Sequence, residues 1–450
     1  MPGKQLTSAR LAAVQFLNTA GLVSLTPGFS PVKGAPIRKK RFNGFGPPGR
    51  KPLKWFLSLG SFSTGLKPGV NESSGVSWAV LLLALNGVCL FGAEPDSQTV
   101  APKFLGAQSC SSSSCHGGAG DISRQFTVWS QYDFHHHRPF ATLETARSER
   151  LADVLKLGNP TQSPRCTVCH APFQTVPAER LGGDAKVSEG VSCESCHGPA
   201  ENWLRSHTRK DYTHEDRVHA GMRDLKNLYV RANTCVACHQ NVPSDIREAG
   251  HPELIFELDG QCATMPRHWS KTADKPGPQI WFVGQATALR EMSWQLLNEK
   301  RSNEDLNDKW TALVYLSLLT HRPPGRESWA NSENFKKAQI DADALARDVA
   351  SKDWKRDLTE QLWKGVANDG RIFTAKATPT PIKARYAERL VLGIDRLMLA
   401  LDRTATNSAV NQSLNRLFAD VQSLPDFDPN QFAKDLKEFH SRVSGVLESK

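Results

Sequence analysis

Four cysteine–histidine groups in the middle of the chain are the residues whose spacing points most directly to chemistry. Three follow the pattern C-x-x-C-H, at residues 166–170, 193–197 and 235–239. In this pattern two thiols bind a haem covalently through its vinyl groups, and the histidine binds the iron. The fourth group, at residues 110–116, has four serines between its cysteines and a histidine directly after the second cysteine. The sequence therefore predicts four haem c groups.

These haems are assigned to eight cysteines and four proximal histidines. The cysteines predicted to form thioethers are Cys110, Cys115, Cys166, Cys169, Cys193, Cys196, Cys235 and Cys238. The histidines predicted to bind iron beside them are His116, His170, His197 and His239. Zinc is an alternative, because paired C-x-x-C units build tetrahedral sites, but zinc gives no reason for a histidine after every pair. A disulfide framework is the other alternative, and for the stretched group it would be a local bridge.

The basic residues of the chain are concentrated before residue 94. Residues 1–93 contain eleven Lys and Arg and one acidic residue, Glu72, and so account for the whole formal net charge of +10. The basic pI thus belongs to a leader segment and not to a nucleic-acid-binding face, so we expect no nucleic-acid partner. Haem propionates would make the remaining protein acidic.

The leader ends in an apolar run at residues 76–93. Basic residues precede the run and polar residues follow it, which predicts an export signal with cleavage after Ala93. Left uncleaved, the run would anchor the chain to the inner membrane and would be its contact with the membrane. We therefore expect a periplasmic or otherwise exported protein, as haem attachment also requires.

Behind the leader, the sequence changes character near residue 271. Residues 94–270 hold the four motifs and twelve of the fourteen histidines, with little hydrophobic periodicity. We predict a tetrahaem domain there, a breaker-rich linker at 271–278 and a helical domain at 279–450. The predicted fold class is mostly α, with little regular sheet and a C-terminal helical bundle.

Local signals predict several helices of the C-terminal section. An apolar stripe begins at Phe282, and Ser302 with Asp305 makes a capping box for the next helix. Pro381 opens a later helix, and Asp428 followed by Pro429 starts the last one. The aromatic stripes of this section predict a packed core and not cofactor contacts.

The sixth ligand of each iron decides whether the haem shuttles electrons or binds a small molecule. We predict distal ligands at His135, in a run of three histidines, at His207, and at His251, which lies between Gly250 and Pro252. The alternative for each is a surface or hydrogen-bonded histidine. Weaker candidates are His136, His137, His214, His219, His268, Met222 and Met265.

The haem section resembles the tetrahaem cytochromes of the cytochrome c-554 family, which accept electrons from hydroxylamine oxidoreductase. The resemblance covers roughly residues 104–260. It depends on Trp129 and a histidine after the first motif, on the run C-E-S-C-H-G-P at 193–199 with a histidine downstream, and on the order of the sites. It implies that His135 and His207 are distal ligands to haems attached elsewhere. It also implies one five-coordinate haem, on the second motif at His170.

The leading interpretation is a periplasmic multihaem electron carrier whose partners are redox proteins. The alternative is a haem enzyme that acts on a small nitrogen or oxygen species at one five-coordinate haem. A third interpretation is a subunit of a membrane-bound redox complex, with the helical domain as its docking surface.

Overall fold

The computed structural model describes residues 101–448, except residue 122 and the segments 270–275, 300–302, 321–333, 368–369, 402–407 and 423–425. The predicted leader and its cleavage site lie outside the described residues. None of the helices in the described part is long and apolar enough to cross a membrane.

The first part of the described chain consists of short helices and turns. Its helices are α1 (Gln125–Tyr132), α2 (Phe134–His137), α3 (Pro139–Leu143), α4 (Ala146–Leu155), α5 (Pro164–His170), α6 (Cys193–His197), α7 (His214–His219), α8 (Leu228–His239), α9 (Ser244–Glu248) and α10 (Leu258–Thr264). Single 3-10 turns lie at Ala107–Cys110, Pro172–Thr175, Ala178–Arg180, Val187–Glu189 and Ser206–Thr208.

The second part consists mostly of long helices. They are α11 (Gly277–Asn298), α12 (Glu304–Thr320), α13 (Phe335–Ser351), α14 (Arg356–Ala367), α15 (Arg371–Thr374), α16 (Thr380–Ala400), α17 (Ser408–Gln422) and α18 (Pro429–Glu448). Among the described residues there is no strand, and one isolated bridge joins Phe104 to Leu181. The prediction of a mostly α fold is therefore confirmed.

Capping residues define where the helices of the second part begin. Asp428 accepts hydrogen bonds from the backbone N–H groups of Asn430 and Gln431, as a cap before Pro429 should. For α12 the side chain of Asn303 accepts from the N–H of Leu306. The predicted cap, Ser302, lies outside the described residues.

The long helices share one hydrophobic core. Two of them, α11 and α16, are buried along most of their length because the other helices surround them. Two glycines permit close approach: a Cβ on Gly393 would lie 2.7 Å from the ring of Trp281, and a Cβ on Gly284 would lie 2.9 Å from Cβ of Leu258. The first of these helices begins at Gly277, inside the segment predicted as a linker.

The helix that carries the fourth motif is part of the same core. Leu228, Ala232 and Val236 of α8 are buried in one cluster with residues of α11 and α13, against which α8 packs. The described residues from Lys103 onward belong to one compact unit. The division into a haem domain and a helical domain stays a prediction.

Polar side chains reinforce this interface. Arg290 of α11 donates to Asn233 Oδ1 at 2.6 Å and to Asp343 Oδ1 at 2.7 Å, and the Tyr229 hydroxyl donates to the same Asp343 oxygen at 2.6 Å. The buried guanidinium has a second counter-charge in Glu291, 2.7 Å away. The helical section thus sets the orientation of the fourth motif.

We expect Arg290→Ala to lower the free energy of unfolding by about 3 kcal/mol, because it leaves buried polar groups without their charged partner. The control is Arg347→Ala: Arg347 pairs with the same Asp343 at 2.9 Å, but its side chain is 59% exposed. Its loss should cost about 1 kcal/mol or less. Denaturant unfolding of the haem-loaded protein measures both, and equal losses would contradict this account of the interface.

Candidate haem sites

The three regular motifs lie at the ends of helices, which aligns their chemical groups. Each of α5, α6 and α8 ends at its motif histidine. Residues three and four apart share one face of a helix, so both thiols and the imidazole of a motif point to the same side. Local residues determine where two of these helices begin. Pro164 is the first residue of α5, and the side chain of Asn227 accepts two backbone N–H groups at the start of α8.

The stretched motif is a turn and not a helix. The N–H of Cys115 donates to the carbonyl of Ser112 at 2.9 Å, and the N–H of His116 donates to the carbonyl of Cys110 at 3.2 Å. The serine loop therefore folds back and brings the histidine beside the first cysteine. Cys110 is buried, Cys115 is exposed, and a hydrogen bond from the Cys193 thiol lowers the pKa of Cys110.

The structure joins none of the motif cysteines in a disulfide among the residues that it describes. Over the same residues, the groups of side chains close enough to share a metal ion include none with a cysteine. A pair of thiols beside an imidazole is what covalent haem attachment requires.

Hydrogen bonds at Nδ1 orient two of the proximal histidines. The Nδ1 of His170 lies 3.0 Å from the carbonyl oxygen of Pro139, and the Nδ1 of His116 lies 3.0 Å from Oε1 of Gln125. A carbonyl oxygen can only accept, so Nδ1 of His170 carries the proton. The Nε2 lone pair is then available to iron, which is the tautomer that a metal-binding histidine requires.

Two motif histidines have a predicted distal histidine in front of the ring. The ring centres of His116 and His207 are 6.0 Å apart, and those of His170 and His251 are 6.3 Å apart. One metal ion between two imidazoles needs ring centres about 6 Å apart, because each metal–nitrogen bond is about 2 Å. Both separations are suited to a single iron.

The fourth motif histidine has two neighbours. The ring centre of His239 lies 5.3 Å from that of His135 and 6.2 Å from that of His136. Ligand atoms of the three lie within 4.8 Å of one another. Burial, aided by the two neighbouring histidines, lowers the pKa of His239 to about 3. His135, the predicted ligand, and His136 are both in position, and a haem iron has room for one of them.

The third motif histidine lies beside a histidine that the sequence did not single out. Burial lowers the pKa of His197 to about 4, and the nearby His268 contributes to the shift. The Nδ1 of His268 lies 3.2 Å from the carbonyl oxygen of Pro266, so its Nε2 is available to iron. His268 is therefore the neighbour that corresponds to His207 and His251.

The other distal candidates are oriented in the same way. Nδ1 of His207 lies 2.6 Å from the carbonyl oxygen of Leu204, and Nδ1 of His251 lies 2.8 Å from that of Pro252. His214 differs, because its Nε2 is the nitrogen that faces Asp224, at 3.0 Å. The Nε2 of His214 is thus occupied by a carboxylate, unlike that of His207 and His251.

A buried carboxylate joins the first and third motifs. Glu194, in the middle of the third motif, has no exposed surface. Its oxygens accept from the N–H groups of Leu105 at 2.9 Å, of Gly106 at 2.6 Å and of Ala200 at 2.7 Å. Burial raises the pKa of Glu194, while these hydrogen bonds to its carboxylate oppose the rise. The segment that leads into the first motif is thereby fixed to the third.

Other residues of the run C-E-S-C-H-G-P are also structural. Gly198 has φ +83°, and a Cβ there would lie 2.8 Å from the carbonyl oxygen of Gly221. Arg223 donates to the carbonyls of Ser195 at 2.7 Å and Cys196 at 3.0 Å, which satisfies the end of α6. Glu194, Gly198 and the carbonyl groups of Ser195 and Cys196 therefore each have a steric or hydrogen-bonding role.

Sequence reasoning missed the residues that support the ligands. Asp133 is buried and its Oδ2 lies 2.9 Å from Nδ1 of His136. The signal was present, because an Asp three residues before a histidine can cap a helix and face that histidine. For His268, Glu194 and Arg223 the contacts join distant segments, and no local pattern announces them.

Thiol pairs beside oriented imidazoles, on a mostly α fold, are the arrangement that a c-type cytochrome needs. Residues 109–198 match the model of the family described as cytochrome c554 and c-prime, which confirms the resemblance to c554-type cytochromes over that segment. The matched segment contains the stretched motif and the next two motifs in full, and it ends before the fourth. No curated protein and no solved structure matches the chain significantly.

We expect Glu194→Gln to lower the free energy of unfolding by about 2–3 kcal/mol, because the amide would leave buried N–H donors without an acceptor. Glu201→Gln is the matched control: Glu201 also accepts a backbone N–H, from Lys103 at 2.8 Å, but it is exposed. Its replacement should change stability by about 0.5 kcal/mol or less. A similar loss in both variants, measured by thermal unfolding, would contradict the role of Glu194.

Proposed function

We propose that this protein is a periplasmic electron carrier that holds four haem c groups, each with two axial histidines. The observation that supports this most directly is that three motif histidines have the ring centre of a second histidine 5.3–6.3 Å away, and that the remaining one, His197, interacts electrostatically with His268. The four sets are His116 with His207, His170 with His251, His197 with His268, and His239 with His135 or His136. An iron with two imidazole ligands leaves no position for a substrate, so its chemistry is electron transfer.

When bound, haem c supplies one-electron redox chemistry. The residues of this chain hold the ligands in place and set their surroundings. Backbone carbonyls keep the Nδ1 proton on His170, His207 and His251, so that each presents Nε2. Asp133, bonded to Nδ1 of His136, would give that imidazole more anionic character, which favours ferric iron.

Electrostatic interactions between histidines of different motifs indicate which haem sites adjoin one another. His197 interacts with His116 and His207, which brings the third site next to the first. His268 interacts with His136, so the third site also adjoins the fourth. His135 interacts with His170, so the fourth adjoins the second. We infer a continuous path in the order first, third, fourth, second.

The enzyme alternative requires an open iron. The resemblance implies such an iron at His170, but in this protein His251 lies in front of that ring at 6.3 Å. This observation favours an electron carrier over a catalyst. The proposed partners are redox proteins, among them membrane-bound ones, that exchange electrons with the terminal haems of the path.

We expect the oxidised wild-type protein to show only low-spin haem in electron paramagnetic resonance and not to bind carbon monoxide. His251→Ala should convert one haem to high spin and open it to carbon monoxide, because it removes one of two imidazole ligands. The control is His214→Ala, whose imidazole faces Asp224 and should leave the spectrum unchanged. A high-spin haem in the wild type, or an unchanged low-spin count in His251→Ala, would count against the six-coordinate assignment.

We expect a pyridine haemochrome assay with intact mass spectrometry to find four haems, and three in Cys115→Ser. The reason is that His116 directly follows Cys115, as in the regular motifs. Cys262→Ser is the control, because Cys262 lies outside every motif, and it should keep all four. If Cys115→Ser retains the wild-type haem content, the stretched motif is not an attachment site.

A further inference from the structure

A pair of buried carboxyl groups lies where the haem section meets the helical bundle. Glu257 and Asp259, at the start of α10, face α16. Oε1 of Glu257 lies 3.3 Å from Nη1 of Arg389 and accepts from Nε2 of Gln285 at 2.8 Å. Oδ2 of Asp259 lies 2.5 Å from Nε of Arg396. All five side chains are buried.

The buried charges around this pair do not balance. Arg396 also pairs with Asp395 at 3.0 Å, so two guanidinium groups face three carboxyl groups. The adjoining Glu388 faces Arg385, and buried Lys309 pairs with Glu253 and Asp305. The carboxyl groups of this cluster therefore outnumber its cationic groups, and a buried carboxylate in excess is costly unless it takes up a proton.

Hydrogen bonding supports a proton at this place. Oδ1 of Asp259 is buried and has no hydrogen-bond partner among the described residues. An ionised oxygen without a donor is unfavourable, whereas a neutral carboxyl tolerates the position better. Burial raises the pKa of Glu257 to about 7 and that of Asp259 to about 6, while the arginines oppose the rise.

The carboxyl pair is close to the fourth haem site. Cys262 follows Asp259 by three residues and so lies on the same face of α10, one turn further. The Cys262 thiol interacts electrostatically with the thiol of Cys235, which belongs to the fourth motif. Both α10 and α8 pack on α11, so the core fixes the position of the carboxyl pair relative to the fourth motif.

A small cavity lies next to the carboxyl pair. Its volume is about 20 Å³, and Gln240, Glu253, Glu388 and Arg389 are among the residues that line it. This is room for one water molecule, and the buried Oε1 of Gln240 has no other partner among the described residues. Arg389, one of the lining residues, also contacts Glu257.

We propose that Glu257 and Asp259 form a proton-binding site whose occupancy is linked to reduction of the fourth haem, an inference that rests on the proposed function. Reduction of the iron by one electron from a redox protein adds one negative charge nearby. One proton from solvent then binds a carboxylate oxygen of the pair, and it leaves when the iron is oxidised. The ligand of this site is the proton, and both carboxyl groups lie beyond residues 109–198, which the family match covers.

This linkage determines the direction in which pH changes the reduction potential of the haem. The negative charge added on reduction raises the affinity of the carboxyl pair for a proton. Above about pH 6, where the oxidised protein begins to lose that proton, reduction must be accompanied by proton uptake. The reduction potential of the fourth haem should therefore fall as pH rises. The limit is a tenfold change in the redox equilibrium per pH unit, which corresponds to about 59 mV. Below that pH the dependence should flatten.

The test is a redox titration of the full haem-loaded protein from pH 5 to pH 9. The double variant Glu257→Gln and Asp259→Asn mimics two neutral carboxyl groups. In this variant the reduction potential of the fourth haem should no longer depend on pH. The control Asp357→Asn changes an exposed carboxyl group of the helical section and should keep the wild-type pH dependence of the potential. An infrared difference spectrum on reduction should show a protonated carboxyl in the wild type that the double variant lacks.

Two failures are distinguishable. If a haem count of the wild type finds fewer than four haems, the proposed function fails. If all four haems are present and low-spin but the double variant keeps the wild-type slope and infrared band, the proton site alone is wrong.

Discussion

In the proposed function, the arrangement of the haem section depends on one geometric requirement, which is that two imidazoles face one another across a single iron. Each such pair joins parts of the chain that are far apart in sequence: His116 meets His207, and His170 meets His251. A section with short helices and few aliphatic contacts of its own gains long-range order from these pairings. The supporting hydrogen bonds at Nδ1 matter for the same reason, because a ring that rotates loses its partner.

The local parts of this protein could be predicted from its sequence, because their causes are local. The cysteine spacing, the helix stripes and the cap at Asp428 each depend on neighbours within a few residues. Gly277 was assigned to a linker because Gly and Pro usually break helices, yet Pro278 is well tolerated in a first turn.

The long-range parts could not be predicted in the same way. His268 approaches His197 only after the chain has passed through the fourth motif, and Glu194 meets Leu105 across a gap of 89 residues. The choice between His135 and His136 also depends on tertiary context, since the sequence offers equivalent side chains there. The match to the c554-type family covers residues 109–198 and stops before the fourth motif, although that motif has the same local signal as the second and third.

The helical section is more than an attached scaffold, because it supplies the surroundings of the fourth motif. The motif helix α8 shares the core of the bundle, and Arg290 bonds to Asn233 on it. A haem held there lies in a rigid and weakly polar medium, where a nearby charge changes its potential more than it would in water. The excess carboxyl beside Arg396 is such a charge. In the function and the proton site proposed above, the arginines of this section would let a carrier couple its electron to a proton, which the haem motifs alone do not provide.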